Sequence, residues 1–256
     1  MFVLVGPCFA EGQDIKIPCK VETCKPELGD TVTRLFPSSP DKPVLIVYGG
    51  GKGQSLSLDY MRLSDIEGKI NIIIVRSTIP IQTYRGGKKP AAYNEANVYR
   101  ARQVTDFYKK KFNQKVWLMG VSNGGPRMIA ALSGGKKENG AKDYQGLIFS
   151  SSANGYEKSG NGKQVFTLPL QKIKYKIDLP VLIIQHARDR YHATGVSIQK
   201  RLFKKLKRKN KGLTELKLIE SGDPGTTNYD GGHHWFYTSQ KEHSEAILEF
   251  ILKNRI

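Results

Sequence analysis

The sequence is poor in cysteine and in acidic side chains, and it lacks long apolar runs. No stretch of 18 or more consecutive apolar residues occurs in it, so we expect no transmembrane helix. Three cysteines among 256 residues provide no second pair for a zinc site, and the histidines have no ligand spacing on any one element. We therefore expect neither a metal nor another cofactor.

The shortage of acidic residues leaves a formal charge of +18, from 41 basic and 23 acidic side chains. Such an excess can indicate a nucleic acid or another polyanion as a partner. The basic residues are spread along the chain, however, and the dense run at residues 200–209 has the spacing of a helix with a solvated lysine face. We do not expect a nucleic-acid partner, and polyanion binding is kept as the alternative from another functional class.

The N-terminus has features of an exported protein. Residues 1–10 resemble the back half of a secretory signal peptide, an apolar stretch followed by the small residues Cys8 and Ala10, although a frayed apolar terminus explains them equally well. Without residues 1–10, Cys19 and Cys24 remain, and a close cysteine pair in an exported protein indicates a local disulfide. We expect a secreted or periplasmic protein with that bond.

Strand and helix patterns alternate along the rest of the chain. Mainly apolar runs are typical of strands buried on both faces, and they occur at residues 43–48, 70–75, 116–119, 146–149 and 180–185. Residues 213–219 are predicted to form the last strand. Helical spacing of apolar residues follows at residues 93–112, 128–132 and 195–208, and in a final helix that begins near Ser239. The alternation predicts an α/β fold, a mostly parallel sheet with helices on both faces.

The remaining segments give weaker patterns. Residues 31–36 predict part of an edge hairpin, residues 55–68 a helix, and residues 153–178 a loop. Ser239 and Glu242 have the spacing of a capping box. No linker divides the chain, and the expected organisation is a truncated signal peptide at 1–10, an N-terminal extension at 11–30 and one domain at 31–256.

The most informative motif lies at residues 120–124, which read Gly-Val-Ser-Asn-Gly between a predicted strand and a predicted helix. A serine at such a turn sits in strained backbone, and Gly120 and Gly124 have no Cβ that would clash there. The N–H of Asn123 would open the helix, where unpaired donors favour an anion. The pattern indicates a nucleophilic Ser122, or else a glycine-rich turn with an incidental serine.

A serine nucleophile needs a base and a group that orients the base. Asp189 follows the predicted strand at 180–185, and His233 and His234 lie in the loop after the last strand. Because the carboxyl ends of parallel strands meet at one edge of a sheet, all of these residues are candidates for one site. We expect His186 to be structural and His192 to be exposed. We expect His243 to lie on the solvent face of the last helix.

These motifs together resemble those of the α/β-hydrolase superfamily, in its serine-esterase form without a large cap domain. The resemblance covers residues 31–256 and follows the superfamily order Ser, Asp, His. It implies Ser122 as nucleophile, Asp189 as the orienting acid and His234 as the base, with His233 as the alternative. It also implies an oxyanion hole formed by the N–H groups of Asn123 and of Gly50 or Gly51.

The resemblance implies a hydrolase that cleaves carboxylic esters of small or polymer-borne acyl groups through an acyl-enzyme. A thioesterase or a peptidase could use the same triad. The short segment at 153–178 leaves little chain for a lid, so we expect an open site. The acyl group, the alcohol and the oligomeric state are left open by the sequence.

Overall fold

The structure, a computed structural model, describes a set of segments that includes most of the predicted strands and helices. These segments are residues 12–19, 30–49, 63–76, 95–122, 124–132, 140–153, 156–157, 164–165, 177–191, 194–223, 236 and 238–255. The structural statements below concern these residues.

Eight strands form one sheet in the order β1-β2-β4-β3-β5-β6-β9-β10. They are β1 (Gln13–Ile17), β2 (Thr31–Phe36), β3 (Val44–Tyr48), β4 (Asn71–Val75), β5 (Val116–Val121), β6 (Tyr144–Ser150), β9 (Val181–His186) and β10 (Thr214–Ile219). The pairs β1–β2 and β2–β4 are antiparallel and all other pairs are parallel. The sheet is therefore mostly parallel, and β1 completes the predicted edge hairpin.

Among the described residues, four α-helices connect or follow the strands: α1 (Glu95–Phe112), α2 (Gly124–Leu132), α3 (Val196–Lys209) and α4 (Gln240–Lys253). Residues of α1, α2 and α3 pack in one apolar cluster, and residues of α4 pack in a second cluster with the other set of strand side chains. The two clusters explain why β3, β4, β5, β6 and β9 are buried along their whole length, since helices cover both faces. The predicted α/β fold is confirmed.

The predicted capping box was wrong, and the predicted helix at 55–68 is absent from residues 63–68, the part of it that the structure describes. In the described part of residues 55–68 there is only a short 3-10 helix, Leu63–Ile66, and Gly68, with a φ of +78°, then turns the chain into β4. Ser239 makes no side-chain capping bond, and the carboxylate of Glu242, the other member of the predicted capping box, accepts a hydrogen bond from Ser221.

The predicted loop at 153–178 contains two short antiparallel strands, β7 (Tyr156–Glu157) and β8 (Gln164–Val165). Strands of two residues are too short to leave an alternating pattern in the sequence, which is why they were not predicted.

Candidate active site

Ser122 occupies the turn between β5 and α2 in left-handed backbone, with a φ of +50°. A side chain costs about 1 kcal/mol or more in that conformation. Backbone hydrogen bonds hold the turn in place: the N–H of Ser122 donates to the carbonyl of Ser150 (3.1 Å), and the carbonyl of Ser122 accepts from Gly125 (3.1 Å) and Ala153 (2.8 Å). The surrounding structure thus imposes the strain on this serine.

The two flanking glycines are sterically required. A Cβ at Gly124 would lie 1.8 Å from the carbonyl oxygen of Tyr48, and one at Gly120 would lie 2.6 Å from the backbone of Gly125. Neither distance can be occupied by non-bonded atoms, and the obstacles are backbone rather than flexible side chains. The steric reason that the sequence suggested for the Gly-x-Ser-x-Gly spacing is therefore seen in the packing.

Asp189 lies three residues beyond the end of β9, and its side chain is buried. Its carboxylate accepts hydrogen bonds from the side-chain amide of Gln185, from the backbone N–H of Tyr191 (2.7 Å) and from the hydroxyl of Thr194 (2.9 Å). A buried carboxylate is stable when donors of this kind satisfy its oxygens. These bonds fix the orientation of the carboxylate at the carboxyl edge of the sheet.

A buried glutamine links the loop after β6 to the loop that contains Asp189. The amide nitrogen of Gln199, in α3, donates to the carbonyls of Ser152 (2.7 Å) and Thr194 (2.9 Å). Thr194 in turn binds Asp189, and the residue after Ser152 binds the carbonyl of Ser122. A chain of hydrogen bonds therefore connects the Ser122 turn with Asp189 across the edge of the sheet.

His186 is structural, as expected from its position at the end of β9. It is fully buried, its Nδ1 accepts from the N–H of Arg188 (3.1 Å), and its Nε2 can then donate to the carbonyl of Ser221 (3.0 Å). Burial lowers the pKa of His186, because desolvation disfavours the charged imidazolium.

The prediction for His243 was wrong, because this side chain is fully buried instead of facing solvent. Its Nε2 lies 2.8 Å from the hydroxyl of Ser150, and its ring centroid lies 4.1 Å from that of Phe236. The signal was present in the sequence: His243 is four residues before Ile247, on the stripe of α4 that packs on the sheet.

Several predicted site residues lie outside the described residues, namely His233, His234, Asn123, Gly50, Gly51 and His192. The same is true of Cys24, whereas Cys19 is described and is disulfide-bonded. Phe236, two residues after His234, is described and buried, with its ring between those of His186 (6.3 Å) and His243 (4.1 Å). Of the proposed triad, the structure thus describes Ser122 and Asp189.

One charged residue beside the Ser122 turn was not singled out from the sequence. Arg127, in the first turns of α2, is 3% exposed, and its Nη1 donates to the carbonyl of Gly49 (2.6 Å). Burial lowers the pKa of Arg127 to about 10, so its guanidinium stays protonated at neutral pH. The signal that could have found it is its position as the one charged residue of an otherwise small and apolar helix.

The described part of the chain has no group of three or more His, Cys, Asp or Glu side chains arranged to hold a metal ion. No helix in that part is long and apolar enough to cross a membrane.

Comparison with solved structures gives matches over nearly the whole chain. An esterase from Pyrococcus furiosus aligns with a TM-score of 0.62 at 14% identity, covering 95% of this chain and 92% of that one. A Thermogutta terrifontis esterase phosphorylated by paraoxon aligns with a TM-score of 0.61 at 13% identity, covering 96% and 95%. A Xanthomonas campestris protein described as an α/β serine hydrolase without a lid aligns with a TM-score of 0.56 at 12% identity, covering 95% of each chain.

No protein-family model and no curated protein matches the sequence. At such low identities the structural matches concern the fold. This chain has the α/β-hydrolase fold, with Ser122 after the central strand β5 and Asp189 after β9, two strands along in the same sheet.

Proposed function

We propose that this protein is a serine hydrolase that cleaves carboxylic esters through an acyl-enzyme on Ser122. The observation that carries the proposal is the strained backbone of Ser122, held at a φ of +50° between two glycines at which a Cβ would clash with backbone atoms. Enforced strain on a polar residue indicates function more than stability. Asn113 and Ser151 also have positive φ among the described residues, but only Ser122 stands between two sterically required glycines.

In the proposed mechanism, His234, or else His233, takes the proton of the Ser122 hydroxyl as the oxygen attacks the ester carbonyl. The same imidazole then gives the proton to the departing alcohol, and a water molecule repeats the attack to release the acid and restore Ser122. Asp189 orients the imidazole and stabilises its charged form. The backbone N–H groups of Asn123 and Gly50 would bind the oxyanion of both tetrahedral intermediates.

The hydrogen bonds to Asp189 support its part in this mechanism. Three donors hold its carboxylate in a fixed direction, and a carboxylate so fixed can select one tautomer of a neighbouring imidazole. Phe236, two residues after His234, supports the role of the His233–His234 segment. The ring of Phe236 is buried in the same apolar cluster as residues of α4, so position 236 is held at that face of the sheet.

The comparisons support ester hydrolysis over the other uses of the triad. Two of the reported structural neighbours are esterases, and one of those is a protein phosphorylated by paraoxon. Thioesterase or peptidase activity would need the same serine, histidine and aspartate. Assays with thioester and peptide substrates would test these two alternatives. We propose an open site acting on soluble or polymer-borne acyl groups.

The test is a series of p-nitrophenyl esters from acetate to decanoate, run on the wild type and on Ser122→Ala. We expect Ser122→Ala to lower kcat by about 10⁴-fold or more with little change in thermal stability. Ser151→Ala is the matched control, because Ser151 is also a buried serine in left-handed backbone (φ of +39°) just beyond the next strand. Equal losses in the two variants, or a fully active Ser122→Ala, would refute the proposal.

We also propose that the protein is exported to an oxidising compartment, and the disulfide at Cys19 supports this. Fractionation of cells that express the gene under its own promoter, with a thiol-blocking reagent added at lysis, tests it. Protein found in the cytosol with Cys19 and Cys24 both reduced would contradict it.

A further inference from the structure

The buried side chain of Gln199 joins the two loops that carry the contacts of Ser122 and Asp189. Its amide nitrogen donates to the carbonyl of Ser152 (2.7 Å) and to the carbonyl of Thr194 (2.9 Å). Ser152 lies in the loop after β6, and Thr194 lies in the loop after β9. Both N–H bonds of the amide group are therefore used to hold one loop against the other.

The loop after β6 is bonded to the backbone of Ser122 on both sides of this contact. The N–H of Ser122 donates to the carbonyl of Ser150 (3.1 Å), and the N–H of Ala153 donates to the carbonyl of Ser122 (2.8 Å). The carbonyl that Gln199 holds belongs to Ser152, between these two residues. A displacement of that carbonyl therefore moves the segment that supports the Ser122 turn.

The loop after β9 is bonded to the carboxylate of Asp189. Oδ1 accepts from the N–H of Tyr191 (2.7 Å), and Oδ2 accepts from the hydroxyl of Thr194 (2.9 Å). The N–H of Thr194 also donates to the carbonyl of Tyr191 (3.1 Å). Gln199 therefore holds the carbonyl of the same threonine whose hydroxyl holds the carboxylate.

Gln199 is not the best residue for stability at its position. Its side chain is fully buried, and its Oε1 has no hydrogen-bond partner among the described residues, which is unfavourable. Asn210, at the other end of α3, is the opposite case. Its Oδ1 accepts from the N–H groups of Leu179 (3.2 Å) and Gly212 (3.1 Å), and its Nδ2 donates to the carbonyl of Leu179 (2.7 Å). Stability accounts for Asn210, whereas Gln199 leaves a polar atom unpaired beside the candidate site.

We propose that Gln199 is a positioning residue that sets the distance between the Ser122 turn and the Asp189 carboxylate. The inference rests on the proposed esterase function, in which one imidazole must reach both groups. The role requires no contact of Gln199 with the substrate. Its effect is on the alignment of the carboxylate with the nucleophile, which is needed most when the imidazole becomes charged in the transition state.

The first experiment compares Gln199→Met, which is similar in length but has no amide, with the wild type. We expect kcat for p-nitrophenyl esters to fall about 10- to 100-fold with KM nearly unchanged, since a displacement of about 1 Å can cost about 100-fold in rate. The second readout is the pH dependence of kcat/KM. Asp189 stabilises the charged imidazole, so a displaced Asp189 should let the imidazole lose its proton more easily and move the acid limb about 0.5 pH units lower.

A double-mutant cycle tests whether Gln199 acts through Thr194. Thr194→Val removes the hydroxyl that bonds to Asp189 and nearly conserves the shape of the side chain. Two side chains that hold the same carboxylate should not have independent effects. The double variant should therefore lose less kcat than the product of the two single losses, by about threefold or more.

Asn210→Leu is the matched control, because Asn210 is also a buried amide of α3 that bonds to the backbone of neighbouring segments. It should lower thermal stability, because the N–H groups of Leu179 and Gly212 lose their acceptor. It should leave kcat within about twofold of wild type and the acid limb unchanged, since these bonds lie at the other edge of the sheet. If Gln199→Met does not fold, Gln199→Asn, one methylene shorter, serves in its place, with the same changes expected.

The inference is overturned if the acid limb of the Gln199 variant stays where it is in the wild type, or if its loss of kcat does not exceed that of Asn210→Leu. Independent losses in the double-mutant cycle would also overturn it, because Gln199 would then not act through Thr194. Failure of the proposed function would look different, because the wild type itself would not hydrolyse the esters, or Ser122→Ala would be fully active.

Discussion

The two edges of the parallel sheet differ in how their buried side-chain amides are bonded. At the amino edge, the amide of Asn71 accepts from the N–H of Ser38 (2.8 Å) and donates to the carbonyls of Ser39 (2.9 Å) and Lys42 (3.1 Å). Asn210 bonds in the same manner to the N–H and carbonyl of Leu179, before β9, and to the N–H of Gly212, before β10. Both amides are buried and use their oxygen and their nitrogen.

At the carboxyl edge, buried polar atoms remain without a hydrogen-bond partner among the described residues. They include the hydroxyls of Ser151 and Ser152 and the amide oxygens of Gln185 and Gln199. A buried polar atom that lacks a partner costs about 1–3 kcal/mol. Among the described residues, the buried amides of the amino edge therefore satisfy both of their polar ends, whereas Gln185 and Gln199 at the carboxyl edge, where the candidate site lies, satisfy only the nitrogen.

The largest expected effect comes from comparing two aspartates that lie beyond opposite ends of β9. Asp189→Asn should lower kcat about 10³- to 10⁴-fold, because an amide can no longer select the imidazole tautomer or stabilise its charge. Asp178 is exposed and lies three residues before the start of β9, so Asp178→Asn should leave kcat unchanged. Steady-state kinetics on both variants measures this, and a loss below tenfold in Asp189→Asn would argue against its role.

Two glycines give the next largest effect. In Gly124→Ala, a Cβ would lie 1.8 Å from the carbonyl oxygen of Tyr48, so the turn must shift, and a shift of about 1 Å at reacting groups costs about 100-fold in rate. Gly68→Ala at the amino edge meets nothing within 4 Å and is strained only by its φ of +78°. It should cost about 1 kcal/mol of stability and no activity. Equal kcat values for the two variants would contradict the comparison.

Asn71→Ala should show the reverse pattern, a loss of stability with unchanged kcat. The substitution leaves the N–H of Ser38 without its acceptor. The carbonyl of Ser39 keeps its bond from the N–H of Lys42 (3.0 Å), and the carbonyl of Lys42 keeps its bond from Gln114 (2.8 Å). We expect the free energy of unfolding to fall by about 2 kcal/mol. Urea denaturation measures the stability, and a large fall in kcat would show that the amino edge also serves the reaction.

The smallest effect is expected from the exposed basic face of α3, which lies at neither edge. Charge removal at Lys200, Lys204, Lys207 and Arg208 should change kcat/KM by less than about twofold, since these exposed side chains cover an apolar helix face without forming the site. Heparin chromatography of the same variant tests polyanion binding. A steep, salt-dependent retention that this variant loses would favour that alternative.

The sheet could be predicted because strands buried on both faces require continuous apolar residues, and these are visible in the sequence at β3, β4, β5 and β9. The buried place of His243 was mispredicted, although the helical period pointed to it. The two-residue strands β7 and β8 were missed because they are too short for a periodic signal. Arg127 was missed because a burial cost and a backbone contact depend on packing, and the sequence reveals only a charged residue in an apolar helix.

By itself, the sequence determined what depends on neighbouring residues: the alternation of strands and helices, and the glycine spacing around Ser122, whose need is steric and local. The tertiary structure alone decided what depends on distant segments. The sheet order places β6 between β5 and β9, so that Gln199 and Thr194 link the Ser122 turn to Asp189. Arg127 acquires its contact with Gly49 only when α2 packs against the end of β3, because a hydrogen bond across 78 positions of sequence exists only in the folded chain.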